Sequence, residues 1–381
     1  VSDEGLLVVA GEPSGDRIAA SVLHALGPLS DESFGIGGPA CRRAGMRTLG
    51  DVSAIAAMGV GDVIARLPAL AAAAMDLWRR IAASPPRAAL LVNFTELNAR
   101  LGRLLRRRGV RVLWAVAPQV WAWRAGRIRS LRGAVDTLAV LLPFEEPLWR
   151  DAGYDARFVG HPSLDVPRTP ASQARRMLGL PSAGRAVAVL AGSRSGEVIR
   201  LGPPLCEAAA LLRSRGIVAE ARALAAPWLD ARARGLLERA AQSHGIAVDE
   251  ADPEHGAAPL LGAFDLALCA SGTASLETAL AGLPTVIAYR VDRLAYAVAR
   301  RLVRTPHIGL PNVLLGRRAY PELLQDEATG PSIASAAIPL VGDEARARAA
   351  ENAATLRAAL LPRAPGTFGE RVAELLRPML V

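Results

Sequence analysis

LLVVAGEPSGD, residues 6–16, decides how the rest of the chain is read. The apolar run from Leu6 to Ala10 is too short for a helix and does not alternate, which marks a strand buried on both faces. A glycine turn follows, and helical periodicity then runs from Asp16 to Leu26. Strand, turn and helix in that order make the repeating unit of a parallel sheet. The unit recurs. Ala88–Val92 leads to a helical Asn98–Arg108, and Arg111–Val116 leads to an arginine-rich segment; Thr137–Leu141 and Arg157–Val159 add strands. Pro162, Pro167 and Pro170 cluster where periodicity lapses, so a linker is expected around Ser163–Pro170. The pattern restarts with Ala186–Leu190, a helical Val198–Arg213 and strands at Val218–Ala223, Ala263–Cys269 and Thr285–Tyr289. A helix over Ala274–Ala281 separates the last two. Residues Asp343 to Leu380 read as two helices parted by Pro362–Gly366.

The length agrees, because 381 residues exceed what one hydrophobic core usually serves. A composition 51% hydrophobic but only 4% aromatic implies a globular core of Ala, Leu and Val. The net charge is +9 and every one of the 45 basic residues is arginine, which pairs with phosphate bidentately and stays charged. Such a balance admits nucleic acid, an anionic membrane surface or phosphorylated substrates as partners. Cys41, Cys206 and Cys269 lie far apart with no metal-ligand spacing, which predicts free thiols in a reducing cytoplasm. No leader peptide is expected, since a strand begins near Gly5. The longest charge-free stretch, Ala328 to Gly342, contains two prolines and two glycines, so a soluble or peripheral protein is expected.

Three loops between strand and helix carry the chemistry. In Ala10-Gly-Glu-Pro-Ser-Gly-Asp16, small residues let backbone N–H groups near a ligand, and a helix start offers about half a positive charge. The loop lacks both the Walker ending and the dinucleotide fingerprint, and an ordinary turn remains an alternative. In Cys269-Ala-Ser-Gly-Thr-Ala-Ser-Leu-Glu277, Ser271 or Thr273 is placed to cap the helix, and Gly272 clears space for a diphosphate. Glu277, one turn on, is placed to reach ribose hydroxyls, or is simply a solvated helix position. In the third, Leu190-Ala-Gly-Ser-Arg-Ser-Gly-Glu197, Arg194 is placed to set its fork on a phosphate, unless it is a plain surface arginine. Loops of this kind at the carboxyl ends of parallel strands suit a nucleoside diphosphate.

With these loops the chain resembles the bacterial lipid-A-disaccharide synthases, inverting glycosyltransferases of the GT-B fold. The resemblance rests on AGEPSGD (10–16), FGIGGPACRRAG (34–45), MGVGDVIARLPAL (58–70), APQVWAWRAGRI (117–128), LPFE (142–145) and FVGHP (158–162). It continues through GSRSGEV (192–198), ASGTASLETAL (270–280), YR (289–290) and RLVRTPHIGLPNVLLGR (301–317), so it covers nearly the whole chain in order. It implies an α/β protein of two Rossmann-like doubly wound domains facing across a cleft. Residues 1–165 would bind acceptor and lipid, joined by a helix at about 366–381, and residues 166–345 would bind the UDP-sugar. It further implies transfer of diacylglucosamine from its UDP donor to an acylated glucosamine 1-phosphate, giving the β-linked disaccharide and UDP. No metal and no cofactor are implied. The UDP contacts carried over are Ser14, Gly15, Ser193, Arg194, Ser271, Gly272, Thr273, Ala274, Glu277, Arg290 and Asn312. A place on the cytoplasmic face of the inner membrane is implied, a homodimer is possible, and no nucleic-acid module is present. Two stretches bear on the lipids. Ala54–Ala83 either faces acyl chains or forms plain core helices. The ten arginines from Arg100 to Arg132, interleaved with Trp114, Trp121 and Trp123, either meet an anionic leaflet or make a solvated basic face.

One position departs from the family. Transfer needs a base for the acceptor hydroxyl, and the family places an aspartate where this chain has Asn93, whose amide accepts no proton at neutral pH. Glu96 takes over, or another group such as Glu12, Asp16 or His161 does the work. Otherwise the enzyme is slow or altered in substrate, as a non-catalytic UDP- or lipid-binding paralogue or another UDP-sugar GT-B enzyme would be.

Overall fold

The structure, a computed structural model, describes residues 5–51, 75, 77–121, 126–292, 296 and 305–381. It comprises two compact units, one of residues 1–165 with 360–381 and one of residues 166–359. In the first, β1 (Leu6–Ala10), β2 (Phe34–Gly37), β3 (Arg47–Asp51), β4 (Ala88–Val92), β5 (Arg111–Ala115), β6 (Thr137–Val140) and β7 (Asp155–Phe158) form a parallel sheet ordered β3-β2-β1-β4-β5-β6-β7. In the second, β8 (Ala186–Leu190), β9 (Glu220–Ala225), β10 (Ala247–Glu250), β11 (Leu266–Ala270), β12 (Thr285–Tyr289) and β13 (Glu322–Leu324) are parallel in the order β10-β9-β8-β11-β12-β13. Each chain path winds outward, returns past its first strand and winds the other way. The order therefore reverses at β1/β4 and at β8/β11.

The strands beside each reversal, β1, β4, β8 and β11, are buried along their whole length, as continuous apolar runs require. Alanine is abundant in both cores and lets elements pack closely. Helix Ser195–Ser214 runs through Pro203 and Pro204 and starts three residues before the stretch with helical periodicity. Helix Asp343–Leu360 belongs, to residue 359, with the second unit, past the sequence-based end at 345. Among the described residues no helix is long and apolar enough to cross a membrane. Most of Ala54–Ala83 lies outside the described residues; at its end, Leu77 and Ile81 are buried in the first core.

Helix Phe368–Leu380 closes the first unit. Phe368, Val372, Leu376 and Leu380 recur every fourth residue and join the core of Ile18, Val22 and Leu23 on helix Pro13–Leu26. Thr367 and Glu370 form a capping box at its start. Phe368 N donates to Asp165 Oδ2 at 2.6 Å, and Arg371 Nε donates to Val159 O at 2.6 Å. A Cβ at Gly369 would collide with the Ser21 carbonyl, so glycine permits the close crossing. Gly369→Val is expected to lower the denaturant-unfolding stability by about 1–3 kcal/mol, the usual effect of overpacking.

His161 lies at the same corner and corrects a sequence-based assignment. It is 4% exposed, and its Nδ1 accepts the Ser163 N–H at 3.2 Å, capping a short turn. Burial lowers its pKa from 6.5 to about 4, so the ring is neutral and sealed from any acceptor hydroxyl. The role the structure gives it is the cap of that turn. On acidification the unfolded chain takes this proton first, so the stability tied to the neutral ring is whole above pH 6.5 and drains as pH falls toward 4. At about 1.4 kcal/mol per unit this amounts to about 3 kcal/mol. Unfolding curves of His161→Gln between pH 7 and 4 are expected to fall less steeply than those of the wild type.

Candidate functional site

Both reversals of strand order hold the loops singled out above. The register aligns Ala10 with Val92 and Val92 with Ala115, so the loops after β1, β4 and β5 leave one edge side by side. At β1/β4, a Cβ on Gly11 would sit 2.5 Å from Phe94 Cβ and Cγ, and one on Gly15 would sit 3.5 Å from Asn93 Nδ2. Gly11 is required because the two loops touch there, whereas a Cβ at Gly15 would meet its neighbours only at ordinary contact distance. Asn93 and Phe94 both have left-handed backbone, with φ of 54° and 52°. Asn98 is fully buried, and its Nδ2 donates to Asn93 O at 2.5 Å and Val92 O at 3.3 Å, which holds that turn.

This edge sorts the acidic candidates. Asp16 turns inward, where its carboxylate accepts from the N–H groups of Gly38 (2.6 Å), Ala40 (2.9 Å) and Cys41 (3.1 Å) at the start of helix Pro39–Arg43. That structural duty removes it from the chemistry. Glu12 sits half-buried as the residue before helix Pro13–Leu26, with Ser14 and Gly15 in its first turn. Glu96 stands in the first turn of helix Thr95–Arg106. Glu12, Asn93 and Glu96 thus share the β1/β4 edge, and His161 does not serve it.

The second reversal gathers most of the residues assigned to UDP. Gly272, φ 135°, precedes helix Thr273–Leu280, and a Cβ there would meet no atom within 4 Å. The open approach is the one a diphosphate needs, and the first N–H groups of a helix have no intrahelical partner. Ser271 is committed elsewhere: its Oγ donates to Ile308 O at 3.1 Å and its N–H to Ala288 O at 2.9 Å. It latches the 305–309 segment, leaving the anion donors to Gly272, Thr273 and Ala274. At the other end of this helix, Arg168 and Arg357 donate to Leu280 O at 3.0 and 2.9 Å, matching the negative end of its dipole. Sequence reading missed both arginines, which lie about 80 to 110 positions from the carbonyl they cap.

Beside the turn, the loop after β8 carries Ser193 and Arg194. Arg194 is mostly exposed, and its Nη1 lies 3.4 Å from Glu197 Oε1, a carboxylate that also accepts the Arg194 N–H at 3.5 Å. Gly192, φ 110°, brings the backbone against Glu197. Tyr289 is raised in pKa by burial first and then by Glu197, against the pull of Arg194, which places the end of β12 beside this loop. Glu277 lies half-buried one turn into its helix. Arg290 donates from Nε and Nη2 to Gln325 O (3.2 Å) and Ala328 O (2.9 Å), tying β12 to the loop after β13.

Asn312 departs from its assignment as a UDP contact. It is fully buried: Nδ2 donates to Tyr320 O and Glu322 Oε1, both at 2.8 Å, and Oδ1 accepts Tyr320 N–H at 2.9 Å. Glu322 in turn accepts Gly309 N–H at 2.9 Å and Ile308 N–H at 3.2 Å. Asn312 and Glu322 therefore brace the segment that Ser271 latches. The cysteines offer no nucleophile: all three are buried thiols, and burial pushes Cys206 and Cys269 up to about 12.

Glu145 is the residue that sequence reading passed over, although it ends the LPFE stretch. Only 2% exposed, it accepts Leu141 N–H (3.2 Å) and Leu142 N–H (3.1 Å) on Oε2 and the Trp121 Nε1–H (2.9 Å) on Oε1. Burial pushes its carboxyl up to about 7, against the lowering by Trp121 and the two amides. Trp114 is buried in the core, and Trp123 lies outside the described residues.

Comparison with known proteins agrees with the two parallel-sheet units. The family model described as Lipid-A-disaccharide synthetase matches residues 6–363. The chain is 40% identical to the lipid-A-disaccharide synthase of Anaeromyxobacter sp. (strain K), over 98% of this chain and 97% of that one. It is 37% identical to that of Geobacter sulfurreducens over the same shares. Among solved structures, the fold is similar to UDP-GlcNAc 2-epimerase from Neisseria meningitidis (TM-score 0.62, 11% identity, 99% of each chain). It is also similar to MurG of Acinetobacter baumannii (TM-score 0.55, 15% identity, 98% of this chain and 99% of that one). The chain belongs to the lipid-A-disaccharide synthetase family, glycosyltransferases of the GT-B fold.

Proposed function

We propose that this chain transfers diacylglucosamine from its UDP donor to an acylated glucosamine 1-phosphate, inverting the anomeric carbon without a metal ion. The observation that carries the reading is the open turn at Gly272, which directs helix N–H donors outward at the β8/β11 reversal beside Arg194. The diphosphate of UDP lies on Gly272, Thr273 and Ala274, with Glu277 toward the ribose and Arg194 toward the leaving phosphate. As the acceptor oxygen bonds to the anomeric carbon, the bond to the diphosphate breaks and UDP leaves with the electron pair. Backbone dipoles and arginine stabilise the charge that then grows on it. The acceptor's hydroxyl proton goes to a carboxylate on the β1/β4 edge, for which Glu12 and Glu96 are the candidates by position.

Work takes place at the cytoplasmic face of the inner membrane, where the lipid substrates reside. Helix Thr95–Arg106 supports this with Leu97 and Leu104, 41% and 37% exposed, on the same helix as exposed Arg100 and Arg106. Paired Leu97→Ser and Leu104→Ser substitutions are expected to weaken sedimentation with anionic vesicles while leaving UDP binding unchanged.

Transfer is tested by UDP release, expected only when both acylated substrates are present. Tight UDP binding without turnover would identify a non-catalytic paralogue, and turnover of unacylated UDP-N-acetylglucosamine a different enzyme. Glu96→Gln is expected to lower kcat by about 10²–10⁴, the usual loss for a positioned base. If its rate equals that of the wild type, Glu12→Gln carries the loss instead. Arg194→Ala is expected to cost about 10²–10³ in kcat, as removal of a transition-state donor does. Asn93→Asp, which restores the acid the family resemblance leads one to expect, is expected to raise kcat.

A further inference from the structure

Glu145 and Trp121 join two loops at the carboxyl edge of the first sheet. Ala115 pairs with Ala139, so the loops after β5 and β6 emerge as neighbours, and the same register continues through Val92 to the β1/β4 reversal. The Glu145 carboxylate spans the gap, with one oxygen on Leu141 and Leu142 N–H and the other on the indole of Trp121. Phe144 packs edge-on to that indole, ring centroids 5.1 Å apart. Val116, which opens the Trp121 loop, has φ of 65°, an unfavourable conformation for a β-branched residue. Strain of that kind persists where surrounding contacts over-determine it, and it concentrates at ligand edges.

Two facts separate this arrangement from ordinary packing. A carboxylate only 2% exposed is costly to bury, and an apolar side chain would fill the volume more cheaply if filling were its whole role. An indole has one hydrogen-bond donor, and Glu145 takes it. Trp121 is half-buried as a residue, and with its one donor taken it offers only aromatic surface beyond its contact with Phe144.

We propose that Glu145 is a positioning residue for the acceptor, fixing Trp121 so that its face packs on the apolar face of the acceptor glucosamine. This rests on the transferase reading above. The test measures transfer kinetics for Trp121→Phe, Glu145→Ala, Glu145→Gln and the Glu145→Ala/Trp121→Phe double variant, with KM taken separately for the acylated acceptor and the UDP donor. Phenylalanine keeps a ring but has no donor. Trp121→Phe and Glu145→Ala are each expected to raise the acceptor KM about tenfold, as loss of a hydrogen bond to a charged group does. The donor KM is expected to stay within about twofold, since its contacts lie on the second sheet. Glu145→Gln retains an acceptor oxygen for the indole and is expected to restore most of the acceptor affinity. The double variant is expected to be no worse than Trp121→Phe alone, because both changes break one bond. An unchanged acceptor KM in folded variants overturns the proposal. So does an equal rise in both KM values, or a double variant that multiplies the two single effects. Should Glu145→Ala fail to fold, Trp121→Phe and Glu145→Gln still decide the matter. Absence of turnover in the wild type would instead count against the transferase reading.

Discussion

The reversal of strand order in each parallel sheet is the constraint on which the rest depends. Where two neighbouring strands send their helices to opposite faces, their loops part and leave a crevice at the carboxyl edge. In this chain the crevices fall at β1/β4 and β8/β11. Each is flanked by strands with no exposed residue, so its floor is rigid. The same geometry explains the close-approach glycines. Gly11 lies against Phe94, where a Cβ would collide, while a Cβ at Gly272 would meet no atom within 4 Å.

Carboxylates then tie the loops and strand ends together. Asp16 gathers the amides of residues 38, 40 and 41, Glu145 those of 141 and 142, and Glu322 those of 308 and 309. At the amino ends of the strands the two units use one device. Asp136, just before β6, accepts the Val112 N–H of β5, and Asp265, just before β11, accepts the Ala186 N–H of β8. Buried amides require partners, and a carboxylate with two acceptor oxygens satisfies several at once while linking segments distant in sequence.

The strands beside the reversals were legible because they are buried on both faces, and such burial writes a run of apolar residues. Edge strands such as β3 (Arg47–Asp51) and β10 (Ala247–Glu250) carry arginine or acidic residues and write no such run. The open turn before helix Thr273–Leu280 was legible from local chemistry alone, since Gly272 and that helix are adjacent in sequence. The roles of Asn312, His161 and Glu145 were not. Each depends on burial and on partners that folding supplies, and a polar side chain reads the same in sequence whether it faces ligand or core. Asn312 reads in sequence as a polar residue of a loop beside the site, and the structure adds that it braces that loop.

Asn93 is best understood through its backbone. Two consecutive left-handed residues are hard to hold, and asparagine tolerates that conformation better than most residues. The turn is held from below by the amide of Asn98 on the carbonyls of Val92 and Asn93, and from the side by Gly11 and Gly15. None of these contacts needs an acid at position 93. The backbone contacts that hold the turn are therefore indifferent to whether position 93 carries an amide or a carboxylate, whereas an amide takes no proton at neutral pH. Two separable properties meet at one residue there, and the contacts on the page fix only the conformational one.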